Sequence, residues 1–134
     1  MKIIFVGIHN KKGLMPLCSS TKSGKLIDRI IKVFRQAGIQ TMKTNLYDAC
    51  TMPFDIDKRQ HTIEWYCRAD PQYDDVIILL GKEVQENFNN IAGFQKTINL
   101  QHPASIWSNK NQSKYVSNAI IEIDRKLLKI HSKK

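Results

Sequence analysis

Four side chains in this sequence combine a type and a position suited to hydrogen-bonding or proton chemistry: His9, Asn10, Asn45, and His102 before Pro103. Asn45 carries a carbonyl acceptor and an amide donor on one planar group, which suits reading the edge of a nucleobase. His102, at the exit of a short apolar segment, could donate to an oxygen that gains charge as a bond breaks. His9 or Asn10 could position a water. No carboxylate lies between Met1 and Lys25, so neither would be helped by a strong base nearby.

Several other chemistries lack their residues. Phosphate-loop and dinucleotide fingerprints need closely spaced glycines after the first strand, and only Gly13 stands between Gly7 and Gly24. No serine sits in a G-x-S-x-G context, and no histidine pair has zinc spacing. The three cysteines, Cys18, Cys50 and Cys67, include no C-x-x-C pair, so reduced thiols are expected. Neither a metal nor a cofactor is called for.

The elements that must position these groups can be read from apolar periodicity. Residues 2 to 8 form an almost unbroken apolar run, as expected of a central strand covered on both faces, and Gly7 and Ile8 at its end would floor a pocket. A polar, basic loop with Lys11 and Lys12 follows. Leu26, Ile27, Ile30, Ile31 and Phe34 recur at helical spacing, with Gly38 as the stop. A strand over about Gln40 to Leu46 leads to Tyr47, and 61 to 69 reads as a short helix. Val76 to Leu80 is a second central strand, Gly81 turns the chain into a helix over Lys82 to Phe88, and Lys96 to Leu100 is a short strand. Val116, Ala119, Ile120, Ile123, Leu127 and Ile130 mark a last helix. This alternation predicts a three-layer α/β/α domain around a mainly parallel four-stranded sheet. Ligands in such folds sit beyond the carboxyl ends of the strands, where Asn45 and His102 fall.

The totals bound the partners. A chain of 134 residues, 42% hydrophobic and 25% charged, is one ordinary globular domain. Lys and Arg outnumber Asp and Glu by 21 to 12, giving a net charge of +9 that favours a polyanionic partner. No apolar run approaches the roughly 20 residues of a membrane span, and no signal-peptide pattern opens the chain. A cytoplasmic, monomeric protein is expected, without a membrane partner.

Five stretches taken in order, Phe5-Val6-Gly7-Ile8-His9-Asn10, Ser23 to Ile30, Lys43-Thr44-Asn45-Leu46, Val76 to Lys82 and His102-Pro103-Ala104-Ser105, resemble the uracil-DNA glycosylase superfamily. The helix-one stretch and the Thr-Asn and His-Pro motifs look most like its iron–sulfur-type branch, and Phe-Val-Gly-Ile like its mismatch-specific branch. The resemblance implies a DNA glycosylase that flips out a damaged or deaminated base, uracil or related, and hydrolyses its N-glycosidic bond. In that reading Asn45 reads the base, His102 stabilises its departure, and His9 or Asn10 holds the water. Ile106 plugs the gap in the base stack with Trp107 beside it, and Lys11, Lys12, Ser105 and Lys110 meet the DNA.

The chain departs from the family in three places. His9 and Asn10 stand where the first loop commonly has a carboxylate, amide or water-activating group followed by a Pro-Gly type turn. Ser19 stands about where an aromatic ring stacks on the base, which leaves Tyr47 as the candidate for stacking. The amino-terminal cysteine pair of the iron–sulfur branch is missing, so no cluster is expected. Two alternatives stay open: a DNA- or base-binding protein without hydrolysis, and an enzyme acting on free nucleosides or nucleotides.

Overall fold

The computed structural model describes residues 1–7, 21–45, 63, 65–67, 69–88, 96–103, 106 and 108–132. Its centre is a four-stranded, all-parallel sheet. The strands are β1 (Lys2–Gly7), β2 (Gln40–Asn45), β3 (Val76–Leu80) and β4 (Lys96–Leu100). They lie in the order β2-β1-β3-β4, so the two continuous apolar runs are the two inner strands, as their composition requires. The chain steps from β1 to one side and later returns to the other, so the topological switch falls between β1 and β3.

Residues of the inner strands alternate between two separate cores. Ile3, Phe5, Val76, Ile78 and Leu80 face helices α1 (Lys22–Gln36) and α3 (Asn109–Ser132). Ile4, Val6, Ile77 and Leu79 face Trp65, Ala69 and, from helix α2 (Lys82–Phe88), Val84 and Phe88. Helices therefore cover both faces, and the architecture is the three-layer α/β/α expected. Among the described residues no helix is long and apolar enough to cross a membrane.

Local chemistry sets the element ends. The Thr21 hydroxyl accepts from the Gly24 amide at 3.0 Å and caps α1. At the other end the Ile39 amide donates to the Phe34 carbonyl and the Gly38 amide to that of Arg35, with Gly38 at φ +82°. That paired closure needs a left-handed residue, which only glycine adopts at little cost. The helical residues 63, 65–67 and 69 lie inside the short helix expected over 61 to 69. Helix α3 begins at Asn109, well before Val116, the first apolar position that signalled it. Its first two turns carry no apolar stripe, and Ser108, whose hydroxyl accepts from the Asn111 amide at 3.1 Å, is the cap that starts them.

Beneath the sheet, at the amino ends of its strands, Asp75 is almost wholly buried. Its carboxylate accepts from the Lys2 amide and the Lys2 ammonium at 2.9 Å each and from the Gln72 amide at 2.8 Å. Burial alone would raise its pKa. The hydrogen bonds and the charge of Lys2 outweigh that and hold the carboxyl below the usual range.

Candidate functional site

The carboxyl ends of the four strands form one row. Asn45 pairs with Gly7 across β1 and β2, and Leu80 pairs with Leu100 across β3 and β4. Gly7 lies one step past the Val6–Leu79 pair, at the level of Leu80. Side chains of one row point to one face, so the order across the sheet is Asn45, no side chain at Gly7, then Leu80 and Leu100. Gly7, itself buried, thus stands beside Asn45 in this row, at the topological switch. Asn45 is itself buried, at 5% exposure.

His102 stands two residues beyond this row, half-buried, with Pro103 buried behind it. Three strand spacings separate the β2 and β4 ends, roughly 14 Å in all. Asn45 and His102 thus mark the carboxyl ends of the two edge strands, with Gly7 and the Gly81 turn between them.

The seating of His102 on Gly81 and four hydrogen bonds fix the His102 flank. Gly81 has φ +93°, and a Cβ there would come within 3.2 Å of His102 Cβ and 3.6 Å of Cδ2. The histidine therefore lies closer to the turn than a side chain at residue 81 would allow without a shift of a few tenths of an ångström. The Gly81 amide donates to the Leu100 carbonyl at 2.9 Å, and the Gln85 side-chain amide donates to the same carbonyl at 3.0 Å and to that of Leu79 at 3.2 Å. Gln85 thereby ties the ends of β3 and β4 together. The Tyr115 hydroxyl donates to the Gln101 carbonyl at 2.7 Å, and burial raises its pKa, so it stays a donor throughout the neutral range.

The Asn45 flank is fixed from the other face. Trp65 Nε1 donates to the Thr44 hydroxyl at 3.0 Å, and that hydroxyl donates to the Phe5 carbonyl at 3.0 Å. This buried chain locks the last turn of pleat before Asn45. Neither Gln85 nor Trp65 stood out in the sequence as part of a site. A lone tryptophan in a charged stretch is the only signal that marked the second, and nothing marked the first.

Of the other expected site residues, Ile106 is buried, packed in the core with Leu100, Val116 and Ala119. Acting as a wedge, it would have to leave that core. Lys110 is exposed on the second position of α3. Ile8, His9, Asn10, Lys11, Lys12, Tyr47, Ser105 and Trp107 lie outside the described residues. Cys67 is an exposed free thiol, and among the described residues no cluster of His, Cys, Asp and Glu could hold a metal. Along the β4 edge an open groove of about 520 Å³ runs beside α3, lined by Asn99, Gln101, Asn111, Lys114 and Asn118 among others. Its lining also includes Leu100 and Tyr115, so it reaches the strand-end row on the His102 side.

Compared with models of known families, with curated proteins and with solved structures, the chain matches none.

Proposed function

We propose that this protein is a DNA glycosylase that takes a flipped-out damaged or deaminated base between Asn45 and His102 and hydrolyses its N-glycosidic bond. The observation that supports the reading is that those two side chains come from the carboxyl ends of the two edge strands, with a glycine, Gly7, beside Asn45 in the row. The basic balance of the chain, +9, suits a nucleic-acid substrate. In the reaction the C1′–N bond breaks with its electron pair passing to the base. Asn45 holds the base edge, His102 donates a hydrogen bond to the base oxygen on which the charge collects, and water adds at C1′, its second proton going to the departed base anion. Chemistry on a paired base requires its extrusion from the stack.

The test is release of base from duplexes carrying uracil, hypoxanthine or xanthine, scored by alkaline cleavage at the abasic site. Release that falls on the order of 10²-fold or more in His102→Ala supports the assignment. No release from any lesion, or a rate untouched in both His102→Ala and Asn45→Ala, rejects it.

One observation favours a second reading, an enzyme on free nucleosides or nucleotides. Ile106 is part of the core, whereas base flipping would use it as a plug. Cleavage of free deoxyuridine at a rate matching or exceeding that of the duplex would select this alternative.

A further inference from the structure

We propose that the exposed cationic patch across the junction of α1 and α3, formed by Lys22, Lys25, Arg29, Lys110 and Lys114, is a binding surface for the phosphate backbone of nucleic acid. The inference rests on the nucleic-acid partner of the preceding reading and adds a surface to it. Of these residues only Lys110 was expected from the sequence to meet DNA.

The fold brings the five together. Both helices follow strands of one parallel sheet and cover the same face, so both begin at its carboxyl end, beside the crevice. Arg29 Nη2 reaches Ser113 Oγ at 3.5 Å, which sets the second turn of α1 against the first turns of α3. Lys22, Lys25 and Arg29 are three and four residues apart and share a helix face, as do Lys110 and Lys114. All five are exposed.

Among the described residues, Lys25, Arg29, Lys110 and Lys114 enter none of the ion pairs with carboxylates. Between Lys22 and Gln36 the one acid is Asp28, and it is paired with Lys43 from the sheet. From Asn109 to Ile121 there is none, and neither helix has an acid in its first turn. A helix start carries partial positive charge, so folded helices gain from acids there and lose from lysines. Both helices here carry lysines at their starts, and a polyanion would be attracted by the side chains and the helix ends alike. Two cation rows on helices about 8–10 Å apart suit a repeating phosphate chain better than a single carboxylate. A lipid surface would call for apolar side chains beside the cations. Among the described residues, the large apolar side chains exposed on these helices are Val33 and Ile121, neither of them in the cationic turns.

The test is the salt dependence of binding to an undamaged duplex of about 20 base pairs, two helical turns. The native protein is compared with Lys25→Gln/Lys114→Gln, and with Lys96→Gln/Arg125→Gln as a control of equal net charge altered at the far end of β4 and the distal half of α3. Losing two phosphate contacts makes the slope of log affinity against log salt shallower by about 1.8. The native protein's advantage over the patch variant is then roughly 12-fold larger at about 50 mM salt than at about 200 mM. The control keeps the native slope, the patch variant keeps or raises the melting temperature, and Lys25→Arg/Lys114→Arg restores binding. A native slope in the patch variant, equal changes in patch and control, or binding to phosphatidylserine vesicles without binding to the duplex would each overturn the proposal. Base release scored on lesion duplexes with the same proteins separates the two claims. Patch-dependent binding without release removes the glycosylase reading and keeps this one, and release with a patch-independent slope does the reverse.

Discussion

Replacing Gly81 by alanine tests whether the turn after β3 exists to seat His102. Two costs arise. At φ +93° an L-residue is strained by about 1–2 kcal/mol. The new Cβ would also lie 3.2 Å from His102 Cβ, so the imidazole must give way by a few tenths of an ångström. Gly38→Ala isolates the first cost, since Gly38 has φ +82° and a Cβ there meets nothing within 4 Å. Gly38→Ala should therefore lose about 1–2 kcal/mol with base release unchanged in the folded protein. Gly81→Ala should lose that and about 1 kcal/mol more for overpacking. A displacement of about 1 Å near the chemistry costs on the order of 10²-fold, so a shift of a few tenths should slow release several-fold. The assay is urea unfolding of both variants, then single-turnover base release under conditions where each is fully folded. If the two variants lose equal stability and release base at equal rates, the Gly81–His102 contact plays no part in the site.

Asp75 makes stability depend on acid. Its pKa is held below the ordinary carboxylate value, so its contribution is complete above the unfolded value of about 3.9 and is lost as pH falls toward and through the lower folded value. Asp75→Asn should lose about 1–3 kcal/mol at neutral pH and lose less on further acidification than the native protein, as followed by urea midpoints from neutral to about pH 3. Thr44→Val keeps the shape of the residue but leaves Trp65 Nε1 and the Phe5 carbonyl without their partner. It should cost about 1–3 kcal/mol, and if Asn45 depends on this support it should also weaken binding of a base-containing ligand, measured by titration calorimetry.

The apolar runs of β1 and β3 were legible as inner strands because burial on both faces demands a run without polar interruption. Gly38 was legible as a stop for the equally local reason that its left-handed conformation closes the helix. Asn45 and His102 could be assigned to strand ends, since a strand end is a property of its own segment. The start of α3 was not legible from periodicity, because its first turns bury no apolar stripe and are held by the Ser108 cap. Ile106 was expected as a wedge just beyond the His-Pro motif, and the neighbours that bury it, Val116 and Ala119, come from the following helix.

What the sequence by itself determined is therefore the succession of strands and helices, the inner position of two strands and the end of the sheet to which the polar groups belong. Those follow from periodicity and from residues that act on their own backbone. Tertiary structure alone decided the pairing of Asn45 with the side-chain gap at Gly7, the Gln85 bridge between β3 and β4, the support of Thr44 by Trp65, and the seating of His102 on Gly81. Each of these joins residues remote along the chain or set on different elements. Such contacts are fixed by strand register and by which face of the sheet each helix covers, and neither quantity has a local signal in the sequence.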